Sequence, residues 1–595
     1  MKRAAITRVL CALCVLWGCA SAGALDREAF TITVYDLEVR IEPAQQRLGA
    51  RGTIVLRNDS AQPQKNVALQ ISSSLSWRSI RAAGKPLQFV SQPFTSDVDH
   101  TGALSEAIVT LPAEVKPKDS VELEIGYEGV IPLDMTRLTR VGIPEEIARH
   151  TSWDQIGRSF TAVRGAGYVA WYPITTESAD FSEGNSLFEV VNRWKARETG
   201  SEFNARLELS VLRGDPASTV VCSSGAIGTT SPQTGKQSSG SERAEGRHVE
   251  TDCAWKRLGL VAPAFATANY ITSSKPPLTV LALAGHESGA ATYIEAFDPA
   301  SQFVSHWFCK PTAPVAIADF ADPHAAPFES GTLLMASMAG EDNKLAGINL
   351  VHELVHSAFA SPQPWVSEGL AHFAEAAYRE QQGGREAALD LLGLHRAAFV
   401  DSEKDVAAAG AKDAGQPLSS TFDETYYRSK AAYVWWMLRD MVGAPALKET
   451  IRNYRAADDT DPTYVERLIE AAAKRDLSVF FDDWVYRDRG LPDFRVQSAH
   501  PWRGENGKAD KKVQMLTVTL ENLGPAGAEV PFTVRCQDSE VMNRVEIRAK
   551  STATTRIELP CVPIEVVVND GSVPESDLAN NVYKIVAPQE NLNSR

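Results

Sequence analysis

No stretch of this 595-residue chain is apolar for the roughly twenty residues that a membrane-spanning helix needs, so no membrane span is expected. Positive charge is in short supply. Against 75 Asp and Glu stand 60 Lys and Arg, and the net charge of -15 argues against a nucleic-acid partner. No internal repeat is visible. Histidine is scarce, at 11, and so is cysteine, at 8. What remains is an ordinary globular composition, 44% hydrophobic and 23% charged, in a chain too long for a single core. About two to four domains are expected.

Three of the cysteines fall in the opening "MKRAAITRVLCALCVLWGCASAGA", where basic residues precede an apolar run and then small residues. This reads as a signal peptide over residues 1–24, so the protein is expected to be exported, periplasmic or extracellular. A lipid anchor at Cys19 is the minor alternative. An oxidising compartment permits disulfides. Cys222 with Cys253 and Cys536 with Cys561 are the expected pairs, which leaves Cys309 free.

Beyond the signal segment the hydrophobic period changes twice. "FTITVYDLEVRIEP", "ARGTIVLRND" and "SVELEIGYEGV" alternate with period two, as antiparallel strands with one wet face do. "SLFEVVNRWKA" and "NARLELSVLRG" read as further strands, and the Ser/Gly/Thr-rich stretch 223–248 as a long loop. From about residue 288 to 490 the apolar residues recur at helical spacing. Period two then returns in the tail. The expected architecture is multidomain α+β. A β-rich domain spans 25–275, a helical domain 276–495, a linker 496–512 and a β-sandwich 513–590.

The chemistry concentrates in "GINLVHELVHSAFASPQPWVSEGLAHFAEA", residues 347–376, which holds three of the scarce histidines. His352-Glu353-Leu354-Val355-His356 is the H-E-x-x-H pattern. On a helix its two His lie one turn apart on one face, as two ligands of one Zn²⁺ would, and Glu353 flanks them as a general base. The pattern alone occurs by chance in long chains, so the residues after it matter. A catalytic zinc needs a third protein ligand and one open position. A second helix, expected to be capped at Ser367, offers Glu368, His372 and Glu375 on one face. On spacing alone any of the three qualifies. Glu368 and Glu375 are roughly 10 Å apart along the helix, so both cannot bind one ion.

H-E-x-x-H followed by "WVSEGLA" resembles the gluzincin zinc metallopeptidases, in particular the aminopeptidase N family. "YYRSKAAYVWWMLRDMVG" and "FFDDWVYRDRGLP" are similar to later segments of that family, and "YDLEVRIEPAQQRLGARGTIVLRN" to its N-terminal domain. The likeness covers roughly residues 30–495. It implies a thermolysin-like catalytic domain with a helical continuation, followed here by an added Ig-like sandwich. It also implies one Zn²⁺ per chain and a peptide or protein substrate. The Glu before Gly carries the third-ligand role over to Glu368, although only eleven residues separate it from His356 and the family's usual spacing would reach Glu375. His372 then orients or lines the site.

The resemblance also implies a Tyr that donates to the oxyanion. In register that position holds Arg428, so the role passes to Tyr427, with Tyr426 as the alternative. The family's G-x-M-E-N motif, whose Glu holds the substrate's amino group, is absent; Glu329 in "AAPFESGTLLMA" stands in its place. The resulting expectation is an exported zinc metallopeptidase, in finer form an aminopeptidase. Its ligands are His352, His356 and Glu368, Glu353 is the base, Tyr427 the oxyanion donor, and Glu329 the substrate-binding acid. The rival readings are an endopeptidase, a hydrolase of a non-peptide substrate, and a binding protein whose structural zinc takes His372 as fourth ligand.

Overall fold

The computed structural model describes residues 25–95, 104–140, 142–165, 170–177, 194–211, 219–229, 247–340, 342–408, 416–503 and 514–585. The expected signal peptide, with Cys19, lies outside the described residues, as does part of the expected loop at 230–246. Among the described residues no helix is long and apolar enough to cross a membrane.

The period-two segments build a seven-stranded sheet. In spatial order its strands are Arg247–Trp255, Glu202–Val211, Phe30–Glu42, Arg47–Asn58, Ser120–Val130, Leu75–Ala82 and Lys85–Pro86. The pairing is antiparallel except where Phe30–Glu42 runs parallel to Glu202–Val211, a departure from the all-antiparallel expectation. The parallel neighbour reflects the long connection between these strands; a tight turn can only return antiparallel. The inner face buries Leu37, Val39, Ile41, Ile54 and Leu207 against Gln64–Ser72 and Leu104–Val115 of a three-stranded sheet. The outer face carries charge, as one-sided burial requires. Residues 194–196 of the expected strand "SLFEVVNRWKA" form, with Arg197, a helical turn instead, and 186–193 lie outside the described residues. The Trp194 ring is buried 5.7 Å from that of Tyr172, so tertiary packing overrides the strand-like composition.

Two smaller sheets lead to the helices. One orders Ile227–Thr229, Thr219–Cys222, Phe265–Ala268 and Phe160–Val163. The start of the expected loop is thus a strand hairpinned onto Thr219–Cys222. The other is mixed, with Ile271–Lys275, Leu278–Ala282, Val315–Ala318, Leu333–Met335 and, at its edge, Phe328–Ser330. On it pack α1 (Glu287–Trp307) and α2 (Asn343–Ala358); α3 (Pro364–Ala408) packs on α2, and α4 (Ala431–Val442) on α3. Gly384, at φ 80° and ψ 179°, breaks α3 into two helices; its left-handed φ favours glycine. Pairing joins Cys222 to Cys253 and Cys536 to Cys561, and leaves Cys309 free and exposed.

The tail folds as two facing sheets, one of three strands and one of four. Its first strand is Phe494–Arg503, which pairs with Gln514–Asn522. Residues 496–503 are therefore not linker. A bulge between Val496 and Ser498 breaks the alternation there, and Pro501 further disguises the strand. Nor is the sandwich a loosely tethered addition. One apolar core runs from Leu278 through the helices to Val573. The Trp484 indole donates to the Gly527 carbonyl at 2.8 Å, and Arg385 bridges Asp440 and Asp570 at 2.7 Å each.

Within the first core Glu198 is fully buried and accepts from the Tyr35 hydroxyl at 2.8 Å. Burial pushes its carboxyl up to about 8 from 4.5. A raised folded value means that its stabilising contribution is complete below 4.5 and is lost as pH rises through about 8. Glu198→Gln should remove a slope of up to about 1.4 kcal/mol per pH unit from the fall in stability over that window. Urea unfolding of both proteins from pH 5 to 9 checks it. Parallel profiles would show that Glu198 is not protonated in the fold.

Candidate metal centre and its cleft

Helix α2 starts at Asp342, whose side chain accepts the Lys344 N–H and satisfies one orphan donor of the first turn. Leu350, Val351, Leu354 and Val355 bury one side of it, and the Ser357 hydroxyl donates to the Ala313 carbonyl at 2.6 Å. The helix is thereby fixed in rotation. One turn apart, His352 and His356 bring their Nε2 atoms to 3.1 Å.

Five residues link α2 to α3, which begins at Pro364 rather than after a cap at Ser367. Proline suits the first helical position because it has no N–H to satisfy there. The W-x-x-E-G-x-A segment then divides its work. Trp365 stacks on Trp435 of α4, with ring centroids 5.2 Å apart, and accepts that indole's N–H at its carbonyl at 3.1 Å. Gly369 lets the helices touch, since a Cβ there would stand 2.6 Å from Ala431 Cβ and 2.9 Å from Trp435 Cδ1. Between them Glu368 faces α2. Its Oε1 lies 3.5 Å from His356 Nε2 and its Oε2 3.8 Å from His352 Nε2.

Glu375 is not in that ring. Its Oε1 takes the His352 Nδ1–H at 2.7 Å, and its Oε2 lies 3.1 Å from His372 Nδ1. Burial opposes ionisation of Glu375, yet His372 and His352 hold its carboxyl well below the usual range. A carboxylate on Nδ1 fixes the ring and leaves the Nε2 lone pair for a metal. His372 has a ligand atom within 4.8 Å of those of His352 and Glu368, and it forms a second such group with Glu375 and His395. Its Nε2 is buried without a hydrogen-bond partner among the described residues.

Glu353 is buried beside the ring, and neither carboxylate oxygen has a hydrogen-bond partner among the described residues. Burial, with Glu329 adding to it, pushes this carboxyl well above the ordinary range. An acid so placed has a raised proton affinity and no hydrogen-bond partner among the described residues.

The ring opens into a cleft of about 430 Å³ lined by residues of the β-rich region, the mixed sheet and the helices. Glu329 lines it from the edge strand Phe328–Ser330, with Oε2 3.1 Å from His352 Nε2. Its Oε1 accepts from Arg428 at 2.5 Å, and the Arg428 Nε lies 3.5 Å from Glu368 Oε2. Burial works against the Glu329 carboxylate, but His352 and Arg428 hold its carboxyl well below the usual range. Tyr427 lines the cleft, whereas Tyr426 packs against Phe399 and accepts from the Ser402 hydroxyl away from it. A larger hollow, about 610 Å³, lies on the charged outer face of the seven-stranded sheet, far from this chemistry, with Arg47, Arg78 and Glu128 in ion pairs.

His352, Glu353, His356, Glu368, Glu329 and Tyr427 are thus all brought to one place. Two neighbours were not legible as site residues. Arg428 stood in the register of the expected Tyr, and its charge there was the available signal. Lys195 comes from the β-rich region, and no local pattern marks it. Burial lowers its ammonium to about 8 against the pull of Glu368.

No family model matches the chain, and no curated protein matches it in sequence. Among solved structures it is similar to an M1 zinc metallopeptidase from Deinococcus radiodurans. The likeness has 16% identity and a TM-score of 0.44, and covers 75% of this chain and 91% of that one. A mutant of the same protein gives 15% identity, a TM-score of 0.48, and coverage of 78% and 96%. At these values the likenesses assign neither residues nor activity.

Two outcomes follow from the packing. Gly369→Ala should cost about 1–3 kcal/mol in urea unfolding, because α3 and α4 must separate; an unchanged midpoint would mean that the interface yields freely. Glu375→Gln should weaken zinc binding roughly 10–100-fold in competition with a chromophoric chelator. Unaltered affinity would remove Glu375 from the site's support.

Proposed function

We propose that this chain is an exported zinc-dependent metallopeptidase that hydrolyses peptide bonds in peptides or proteins. One observation carries the reading. Three donors, His352 Nε2, His356 Nε2 and the Glu368 carboxylate, converge beside the dry, unpartnered carboxylate of Glu353. The donors fit the ion. Zinc bonds of about 2.0–2.2 Å in a tetrahedron set ligand atoms roughly 3.3–3.6 Å apart. Here the two imidazole nitrogens are 3.1 Å apart, Glu368 Oε1 is 3.5 Å from His356 Nε2 and Glu368 Oε2 3.8 Å from His352 Nε2, so small side-chain shifts bring the set into that range. The Glu368 Oε2 is, moreover, a buried acceptor without a hydrogen bond among the described residues. The mixed sheet with α1 to α3 is read as a thermolysin-like catalytic unit. Two cysteine pairs support export, because disulfides persist in oxidising compartments.

A bound Zn²⁺ supplies Lewis acidity and a water acidic near neutral pH. Glu353 takes the proton of the attacking water and returns it to the departing amine, and its raised proton affinity suits both halves of that task. Glu375 keeps His352 in the tautomer whose Nε2 faces the ion. Tyr427, in the cleft, is the donor to the carbonyl oxygen as it gains charge.

The finer reading is an aminopeptidase, favoured by the presence of Glu329 in the cleft, where it would hold a substrate ammonium. The Arg428 guanidinium on Glu329 favours the endopeptidase reading, because an ammonium would have to displace it. The reading of a closed structural zinc draws on the unpartnered Nε2 of His372. It leaves the dry Glu353 carboxylate without a purpose.

Glu353→Gln should keep one zinc per chain and lower turnover by at least about 10²–10⁴-fold. Metal analysis and peptide hydrolysis read both. Substantial residual turnover would show that Glu353 is not the base. On the wild type, loss of cleavage when the same peptide is N-acetylated supports the aminopeptidase, and equal rates support the endopeptidase.

A further inference from the structure

The cleft's two carboxylates are both committed. Glu329 accepts from Arg428, and Glu368 lies 3.5 Å from both His356 Nε2 and Arg428 Nε. The other two cations that line it, Lys195 and Arg257, are not. The Lys195 ammonium donates to the Leu260 carbonyl at 2.7 Å, which uses one of its three protons. Among the described residues no carboxylate lies within ion-pair distance of Lys195 or Arg257. The same cleft is lined by Trp255, Leu258 and Val261, which offer an apolar surface for a substrate's aliphatic part.

Spare donors on a cationic wall attract an anion, and an anion drawn partly out of water against them gains most. An incoming cation would have to displace a neighbour, since among the described residues each lining carboxylate already has a cationic or imidazole partner. We propose that this cleft selects substrates that carry a carboxylate near the scissile bond, held by Lys195 and Arg257. The inference rests on the peptidase reading and adds the substrate class. Both cations come from the β-rich region, while the metal donors come from α2 and α3. Specificity and chemistry are therefore contributed by different parts of the chain. The carboxylate has two possible sources, an acidic side chain or the free C-terminus of a short peptide.

The test uses the full-length, zinc-loaded protein and a set of peptides matched in length. One has neutral side chains and an amidated C-terminus. Others add a single Glu, a single Lys, or a free C-terminus. The kcat/KM for a carboxylate-bearing peptide should exceed that for the neutral amide about tenfold or more, mainly through KM. Preference for the Glu peptide identifies a side-chain carboxylate, and preference for the free acid identifies the terminus. Lys195→Met and Arg257→Ala should each reduce the ratio of acidic to neutral kcat/KM several-fold. Arg257 is exposed, so its variant serves if the Lys195 variant does not fold. Equal rates across the set, a preference for Lys, or variants that leave the ratio unchanged would overturn the proposal. If no peptide is cleaved, the peptidase reading fails by itself. Binding of the Glu peptide to Glu353→Gln protein, read from tryptophan fluorescence and compared with the neutral peptide, still decides whether the wall takes an anion.

Discussion

Two imidazole nitrogens held 3.1 Å apart at the floor of the cleft are the constraint on which the site depends. At that distance the two nitrogens either share one N–H···N hydrogen bond or, if both present lone pairs, need a cation between them. The fold enforces it regardless. Helix α2 is fixed in rotation by its buried stripe, and Glu375 pins the far side of the His352 ring. The contact between α3 and α4, possible only because residue 369 has no side chain, delivers Glu368 to the same point. The proposed metal ligands are few, but the packing that aims them extends over three helices.

Charge in the neighbouring cleft is arranged on a similar principle. Each acidic group close to the ring has a basic or imidazole partner, with Glu329 on Arg428, Glu375 between His352 and His372, and Glu368 near His356. Glu353 is the exception. Its isolation, unfavourable for stability, raises its proton affinity and leaves it available to a water. A buried carboxyl with no hydrogen-bond partner among the described residues, beside the three proposed donors, is costly in a binding module and useful in a hydrolase.

Much of this was legible in the sequence because it is local. His352, Glu353 and His356 follow from helical periodicity, and the strand segments of the β-rich region from period two. The expected cysteine pairs formed, although Cys561 lies in a bend between strands rather than in one. Glu368 needed the W-x-x-E-G frame, whose Trp and Gly turn out to be packing residues for α4. What could not be read was long-range. Lys195 reaches the cleft from a helical turn where the composition suggested a strand. Arg428 engages Glu329 across 99 positions. The strand Phe494–Arg503 is hidden by a bulge, and the continuity of the helical core with the tail sandwich has no local signature.

The central claim is that His352, His356 and Glu368 hold one zinc ion with a position left open to water. Anomalous diffraction at the zinc edge, from crystals of the zinc-loaded protein, tests it most directly. The account predicts a single strong peak bonded to those three side chains, with Glu375 on His352 and the Glu353 carboxylate facing the open side. A peak enclosed by His372 as a fourth protein ligand, or no peak at this ring at all, would contradict it.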